Sequence, residues 1–380
     1  MSEDRRQITR AAALGGAWLA MRPAMVASTE PAGTYLDVRQ FSAHGDNKAD
    51  DTKAIQSAID AAGARGGAVF VPPGVYRTGE LQMRPHVAIV GVPAWDYRGP
   101  SGSVLRLADE HAGCLLNITG ADGITVDGIS LDGGGLGKGI HGVWLNKPDY
   151  GKHEDCFRIE RCQVARFSGH GLCLARAWCF SIRHSMIAYS GGDGINLRGW
   201  DGFLLDNWLS GNQGAGFAAR DENASCTFTG NRIEWNGREG ILIVRGDGYN
   251  ITGNFIDRSG TSGISVIGGM QMTITGNFVK RSGKLAKPGT HDSSQIRLER
   301  TRGITCTGNN LQVGRDDGDQ GVWSPSYGIV CQGLQHCVIG NNVLQDGAIT
   351  QLMVDLGGHG DGAVIKDNPG SLFDEARGLY

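Results

Sequence analysis

Residues 226–277 read CTFTGNRIEWNGREGILIVRGDGYNITGNFIDRSGTSGISVIGGMQMTITGN, and this stretch decides the fold. A short β-type run that closes on Gly-Asn occurs in it three times, ending at Asn231, Asn254 and Asn277. The same frame continues along the chain at Arg161, His184, Asn207, Asn309, Asn341 and Asn368. Counted from Arg161, the successive spacings are 23, 23, 24, 23, 23, 32, 32 and 27 residues, which identifies a repeat.

A second marker, a glycine followed by an apolar-x-apolar triplet, keeps step with the first. It begins at Gly171, Gly194, Gly216, Gly240, Gly263 and Gly328. Two short alternating strands fill a unit of this length and leave no room for a helix. Such units bury their apolar faces only by stacking, at about 4.8 Å per coil. Asparagine tolerates the left-handed conformation, so we expect it at a tight turn. The sequence predicts an all-β parallel β-helix.

Composition narrows the class of protein. The chain has 61 glycines in 380 residues, but its 40% hydrophobic content and regular strand markers argue against disorder. A net charge of −3 provides no basic patch of the kind that nucleic-acid binding requires. No apolar stretch is long enough to span a membrane. We therefore expect neither a nucleic-acid nor a membrane partner, while formation of a homo-oligomer stays open.

The N-terminus carries Arg5 and Arg6 before a short apolar run, residues 11–21, and small residues near Ala27. This arrangement resembles a twin-arginine export signal; the alternative is a tail with a chance arginine pair. The prediction is an export signal over residues 1–30 and a periplasmic or extracellular protein. Residues 31–380 are predicted to form one β-helix domain, with an N-terminal cap at 34–90, regular coils at 104–368 and a C-terminal cap at 369–380.

One segment before the coils has a helical pattern. Asp50 or Asp51 can cap a helix that Gly63 ends. The apolar positions on one face of that helix are Ile55, Ala58, Ile59 and Ala62. A helix here would cover the open end of the solenoid, where unpaired strand edges invite association.

The run FSAHGDNKADDTKAIQSAIDAAGARGGAVFVPPGVYRTG, residues 41–79, resembles the opening of the pectate-lyase-like right-handed β-helix superfamily. That superfamily includes polygalacturonases, polysaccharide lyases, epimerases and phage tailspikes. The resemblance is close over residues 34–90 and architectural afterwards. It implies a right-handed solenoid and a carbohydrate ligand, but it does not fix the reaction, because function depends on the site.

Two turns of the repeat are lengthened, at residues 283–294 and 314–326. Both insertions lie between the asparagine marker and the following strand, so they project from the same side of adjacent coils. Insertions on one side of a solenoid usually mark its binding face. We therefore expect the binding site along the strands that follow these turns.

The residues just before each strand glycine form a predicted column: His141, His170, Asp193, Ala215, Glu239, Ser262 and Tyr327. The outward positions beyond that glycine carry Trp144, Asn196, Arg198, Arg220, Ser265, Arg297 and Glu299. Arginines in this row suit the bidentate binding of a uronate carboxylate, or they pair with neighbouring acids. Trp144 and the loop residue Trp323 either stack on sugar rings or anchor their own segments.

Three residues of the column are the predicted catalytic set. His170 and Asp193 are one coil apart, and Asp193 and Glu239 are two coils apart, or about 9.6 Å along the axis. Converging side chains would approach the roughly 6.5–9.5 Å separation of inverting glycosidases. The principal prediction is therefore a glycoside hydrolase acting on a polysaccharide or oligosaccharide, with Asp193 and Glu239 as the acid and base. His170 would orient a carboxylate or relay a proton.

Two alternatives stay open. A polysaccharide lyase or C5-epimerase acting on uronates would use His170, Arg220 or Arg297 as the base. Such an enzyme often neutralises the substrate carboxylate with Ca²⁺, for which the oxygen ligands would be Asp292, Asp316, Asp317 and Asp319. The second alternative is a secreted glycan-binding repeat protein without catalytic activity.

Two short fragments, GHG at 169–171 and EDC at 154–156, look like parts of polygalacturonase motifs. In that family the acidic pair and the histidine lie about one coil apart on one sheet. Here Asp155 and His170 are 15 residues apart, so they are expected on different faces. We therefore do not carry the polygalacturonase catalytic set over to this chain.

Overall fold

The computed structural model describes residues 35–315 and 321–378, and these form a right-handed parallel β-helix. Each regular coil contributes three strands, which we call faces one, two and three in chain order. The loop between faces three and one is the longest, and the turn between faces two and three is the shortest. Across the described residues, faces one and two form one continuous sheet of 22 strands, and face three forms a sheet of 11.

Every pairing between successive coils is parallel, and the strands are as follows. Face one contains Leu81–Gln82, Cys114–Asn117, His141–Asn146, the first halves of Leu172–Arg183 and Ile195–Leu205, Phe217–Ala224, Ile241–Val244, Ile264–Ile267, Ser294–Glu299, Tyr327–Gln332 and Gln351–Asp355. Face two contains Tyr35–Asp37, Gly67–Phe70, Val87–Val90, Thr125–Asp127, Phe157–Glu160, the second halves of the same two long strands, Thr227–Thr229, Asn250–Thr252, Thr273–Thr275, Thr305–Thr307, Val338–Gly340 and Val364–Lys366. Face three contains Asp46–Asp50, Gly74–Thr78, Ser103–Leu107, Ile129–Asp132, Gln163–Ala165, Met186–Ala188, Trp208–Ser210, Arg232–Glu234, Phe255–Asp257, Phe278–Lys280 and Asn310–Gln312, and a short pair, Leu344–Ala348 with Gly370–Leu372, follows it.

The core is a set of apolar columns that run along the helix axis. One column of face two is fully buried and consists of Ile159, Ile182, Leu204, Phe228, Ile251 and Ile274. Complete burial of a side chain of this size contributes about 1.5–3 kcal/mol. Because each residue packs on its equivalents in the coils above and below, the apolar repeat read from the sequence stabilises the stack.

The turn between faces two and three contains a ladder of buried asparagines. At three coils the ladder residue is the one after the residue that the repeat predicts. The ladder consists of Asn207, Asn231, Asn254, Asn277, Asn309, Asn342 and Asn368, preceded by Ser185 and Cys162. Arg161, His184 and Asn341 instead occupy the position before the ladder residue. The assignment of those three residues to the marker position was therefore wrong.

The residue before each ladder position, and not the ladder asparagine, takes the left-handed conformation. Gly230, Gly253 and Gly276 have φ values of 70°, 68° and 66° there, and Asn341 has a φ of 54°. The ladder asparagine has a different role. Its side-chain oxygen accepts hydrogen bonds from the backbone and the side-chain amide of the preceding rung, as Asn254 does from Asn231. Asparagine suits the ladder because its side chain supplies a donor and an acceptor together.

The predicted helix forms at Thr52–Gly63, and Ile55, Ala58, Ile59 and Ala62 are all completely buried against the first coils. Asp51 is the N-cap residue, but its side chain does not cap the helix. Asp50 accepts a hydrogen bond from the Thr52 backbone N–H, whereas Asp51 accepts from the backbone N–H groups of His44 and Gly45. A short 3₁₀ helix, Val38–Phe41, packs beside it. Strands from Tyr35 onward already pair in the stack, so the coils begin before the predicted boundary at residue 104.

Within the predicted C-terminal cap, Phe373 is buried and packs against Trp323. The predicted export signal, residues 1–30, lies outside the described residues, and so do Asp316, Asp317 and Asp319. Within residues 35–315 and 321–378, no helix has the length and apolar character needed to cross a membrane.

Candidate functional site

The predicted column exists on face one. Backbone pairing places His141, His170, Asp193, Ala215, Glu239, Ser262, Ser294 and Tyr327 at equivalent positions of successive coils. We call the outer surface of face one from His141 to Glu299 the strip. Asp193 and Glu239 therefore lie on the same face, two coils apart, as the spacing predicts. Asp155 lies at the start of face two, away from His170.

Asp193 is held as a carboxylate. Its side chain is only 4% exposed and forms a bidentate pair with Arg220, at 2.7 Å to Nη1 and 3.2 Å to Nη2. The Asn196 amide and the Ala215 backbone N–H also donate to it, at 2.9 Å each. Burial alone would raise the pKa of Asp193, but these hydrogen bonds outweigh it and hold the pKa below its ordinary value. A group in this state is a poor proton donor.

Arg220 reaches Asp193 because of a bulge in the strand Phe217–Ala224. Leu197 pairs with Ala219, and Gly199 pairs with Asn223. Between these two pairs the preceding strand has one residue, whereas Phe217–Ala224 has three. The extra residues turn Arg220 back towards the preceding coil. Its hydrogen bond to Asp193 raises the pKa of Arg220, so the guanidinium stays protonated and is not a candidate base. Bulges often re-aim side chains beside functional sites.

His141 and His170 are stacked, with ring centroids 5.2 Å apart and an interplanar angle of 4°. The Nδ1 of His141 accepts a hydrogen bond from the His170 backbone N–H at 2.9 Å, and the Nδ1 of His170 accepts from the Asp193 backbone N–H at 2.8 Å. In a neutral ring the proton is then on Nε2. Burial lowers the pKa of both rings, that of His141 to about 4. The two rings are therefore hydrogen-bond donors at Nε2 and not bases.

Protonation of His141 is expected to destabilise the fold. The folded pKa near 4 lies below the ordinary value of 6.5, so the unfolded chain binds the proton first. Stability should therefore fall as pH drops from 6.5 to 4, on the order of 2–3 kcal/mol from this ring. In a His141→Asn variant the amide oxygen replaces Nδ1 as the acceptor, and urea unfolding at several pH values should show a shallower slope. Equal slopes in the two proteins would contradict the assignment.

Glu239 differs from Asp193 in its surroundings. Its side chain is 10% exposed, and its Oε2 atom is buried without a hydrogen bond. The nearest cation is Arg238, whose Nε lies 3.5 Å from Oε2, too far for a strong hydrogen bond. Of the two predicted catalytic carboxylates, Glu239 is the one with an acceptor that no protein donor occupies.

The N-terminal half of the strip contains aromatic residues. Trp144 packs edge-on against His141, with ring centroids 4.9 Å apart. On the other edge, Tyr150 from the insertion after His141–Asn146 stacks on Trp200 at 3.7 Å. Sequence reasoning missed Tyr150 and Trp200. The signal that was available is the insertion KPDYGKHED itself, because it breaks the repeat beside the strip.

The remaining arginines of the strip are paired with acids. Arg198 donates to Glu222 at 2.6 Å, which is the alternative left open for it. Arg297 donates to Glu299 at 2.7 Å and also bonds to Asp292 from the insertion at 283–294. That insertion borders the strip as predicted, since its Asp292 bonds to Arg297 of the strip.

Trp323 does not join the strip. Its indole N–H donates to Glu375 at 3.1 Å, and its ring packs against Phe373 in the C-terminal cap. Among the described residues, this is the arrangement of a loop anchor, the other alternative considered for Trp323.

The calcium prediction has one ligand candidate within the described residues, Asp292, and its carboxylate binds Arg297. A separate group, Cys331, Asp355 and His359, has possible ligand atoms within 4.8 Å of one another. However, His359 accepts the Leu334 backbone N–H at Nδ1 and contacts Asp355 through Nε2 at 2.7 Å. Both ring nitrogens are therefore already engaged, and calcium stays a prediction.

Comparison with known proteins gives the family. A model of the right handed beta helix region matches residues 114–279 and 204–374, and a model described as rhamnogalacturonase A/epimerase, pectate lyase-like, matches residues 35–97. The chain is 29% identical over 235 residues to mannuronan C5-epimerase AlgE3 of Azotobacter vinelandii, which covers 56% of this chain and 12% of that protein. It is 31% identical over 203 residues to alginate lyase 7 of the same organism, covering 47% and 22%.

The chain thus spans less than a quarter of the length of these two relatives. Among solved structures, the A-module of Azotobacter vinelandii mannuronan C-5 epimerase AlgE6 superposes with a TM-score of 0.63 at 20% identity, covering 88% of this chain and all of that one. This likeness shows the shared fold. Since the first family model covers well over half of the residues, the chain belongs to the right-handed β-helix family.

Proposed function

We propose that the protein modifies a uronate-containing polysaccharide by removing the proton at C5, as a lyase or a C5-epimerase. The observation that carries this proposal is the contrast between the two carboxylates. Asp193 has its hydrogen bonds filled and is held ionised, while Glu239 has an acceptor oxygen without a donor. An acid/base hydrolase needs one carboxyl group that stays protonated and another that activates a water. Asp193 suits neither role, because its pKa is lowered and its oxygens already accept four hydrogen bonds.

The strip suits an anionic sugar. Arg220 is 43% exposed and protonated, and the Nε2–H groups of His141 and His170 add neutral donors in the adjacent coils. Together they would bind a substrate carboxylate and withdraw charge from it, which makes the C5 proton more acidic. This role does not require His170 or Arg220 to act as a base.

Glu239 would then take the C5 proton on Oε1, because its unpaired Oε2 is buried. The C5–H bond breaks and its electron pair delocalises towards the bound carboxylate. In an epimerase a proton returns to the opposite side of C5. In a lyase the pair forms a C4–C5 double bond, the bond from C4 to the glycosidic oxygen breaks, and that oxygen takes a proton from water. The names of the two curated relatives, an epimerase of mannuronan and a lyase of alginate, support this substrate class.

The test uses the full-length chain with polymannuronate, alginate and polygalacturonate in D₂O, with and without a chelator. Epimerisation is expected to place deuterium at C5, detected by NMR, because the proton that returns to C5 comes from the solvent. Elimination instead produces a conjugated C4–C5 alkene that absorbs in the ultraviolet and leaves neither hydrogen nor deuterium at C5.

Two outcomes would contradict the proposal. New reducing ends with neither deuterium at C5 nor ultraviolet absorbance would indicate hydrolysis instead. Unchanged polymers in every incubation would favour the non-catalytic glycan-binding alternative.

A further inference from the structure

Face three carries an aromatic cavity that the strip does not use. The cavity has a volume of about 630 Å³, and its principal lining residues are Tyr97, Tyr189, Trp208, Arg232, Glu234 and Trp235. The four aromatic residues are each more than a third exposed, with Tyr189 at 47%. Large aromatic rings grouped around a hollow and open to solvent are unusual on a protein surface unless they bind something.

The turn after face three opens the cavity. Tyr189, Gly211 and Trp235 occupy equivalent positions in three successive coils, with φ values of 56°, 67° and 54°. A Cβ atom on Gly211 would lie 2.8 Å from the Tyr189 ring, so glycine keeps the space between the two rings clear. Tyr189 and Trp235 are therefore separated by two coil rises, about 9.6 Å.

A second segment completes the wall. The loop from Gly91 to Gly102 runs along face three, where the Trp95 indole N–H donates to the Arg161 carbonyl at 2.7 Å. The Asp96 carbonyl accepts from the Gln163 side chain at 2.9 Å. These contacts place Tyr97 edge-on to Trp208, with ring centroids 5.7 Å apart.

The floor of the cavity is polar. Glu234 is 2% exposed and accepts hydrogen bonds from the Tyr97 hydroxyl at 2.8 Å and from the Arg232 Nε at 2.9 Å. Each carboxylate oxygen can accept further bonds, and the half-exposed Arg232 has further N–H groups. Arg258 covers one side of the Trp235 ring at 4.6 Å, which fixes that ring while leaving it 37% exposed.

We propose that this cavity is a second carbohydrate-binding site, which holds one or more sugar rings away from the strip. Exposed aromatic faces match the C–H faces of a pyranose ring, and the buried Glu234 with Arg232 matches its hydroxyl groups. Arg232 donates from Nε to Glu234 and keeps further N–H groups, so the cavity offers donors for hydroxyl groups beside the aromatic ring faces. The site goes beyond the proposed reaction, because it would retain a polymer whichever chemistry the strip performs.

The test measures binding of mannuronate, galacturonate and neutral glucan oligosaccharides to the full-length chain by isothermal titration calorimetry and saturation-transfer NMR. Trp208→Ala and Trp235→Ala are each expected to weaken binding of at least one oligosaccharide tenfold or more. Phe203→Ala is the matched control, since Phe203 is 48% exposed but lies on face two. It should leave the affinity unchanged.

Unchanged affinity in both tryptophan variants, an equal loss in the Phe203 variant, or no binding by the wild-type protein would overturn the proposal. The measured affinity does not depend on the reaction at the strip, because the proposed binding site lies on face three. Binding that is sensitive to Trp208 and Trp235 can persist when deuterium exchange fails, and the reverse holds as well.

Discussion

Replacing Asn254 by leucine should lower the free energy of unfolding by about 3–5 kcal/mol. The Asn254 side chain donates to Asn277 and to the Phe228 carbonyl, and it accepts from the backbone and side chain of Asn231. Leucine fills the volume but leaves the Asn231 backbone N–H and the Phe228 carbonyl buried without partners. Each orphaned group costs about 1–3 kcal/mol. Urea denaturation followed by circular dichroism measures the change.

The matched control is Asn250→Ala in the same coil. Asn250 is exposed on face two and its side chain contacts only Thr252 among the hydrogen bonds of the described residues. We expect an effect below about 0.5 kcal/mol, as for surface substitutions generally. A ladder variant as stable as this control would show that the asparagines do not hold the coils together.

The second large effect is expected for Glu239→Gln, which should reduce turnover by about 10²–10⁴-fold. Glutamine has the same shape but cannot take up a proton from C5. The substrate carboxylate would still bind at Arg220 and the histidine donors, so the loss should appear in kcat with little change in KM. The measurement is the rate of deuterium incorporation at C5 for epimerisation, or of ultraviolet absorbance for elimination.

Glu222→Gln is the control for Glu239, because Glu222 also lies on the strip but is 45% exposed and paired with Arg198. Its turnover should stay within about tenfold of the wild type, since an exposed ion pair contributes little. If Glu239→Gln keeps wild-type turnover, Glu239 is not the base and the proposed mechanism is wrong.

Much of the fold could be predicted because the repeat is a local pattern with a fixed period. The apolar triplets after Gly171 and Gly194 specify the strands of face one, and the buried side of the helix Thr52–Gly63 follows from its spacing. Equal coil lengths also bring His170, Asp193 and Glu239 into one column. In a parallel stack, residues that are one coil apart in the sequence lie next to each other in space.

The structural details that decide the chemistry of the site could not be predicted from the sequence. The bulge that turns Arg220 onto Asp193 depends on how two strands of unequal length pair, and no spacing encodes it. The Nε2–H form of His170 depends on a backbone N–H from the next coil. The ladder frame was misassigned at Asn341 because two asparagines are adjacent there and only pairing distinguishes Asn341 from Asn342.

The asparagine ladder also has a direction. Each side-chain amide from Asn207 to Asn342 donates to the oxygen of the following rung, so the amide groups are oriented head to tail along the axis. Aligned hydrogen bonds of this kind polarise one another, which strengthens the interior of a chain more than its ends. The molecule therefore has an electrical polarity that its strands alone would not give. An interruption near Asn277 would divide one cooperative array into two weaker ones.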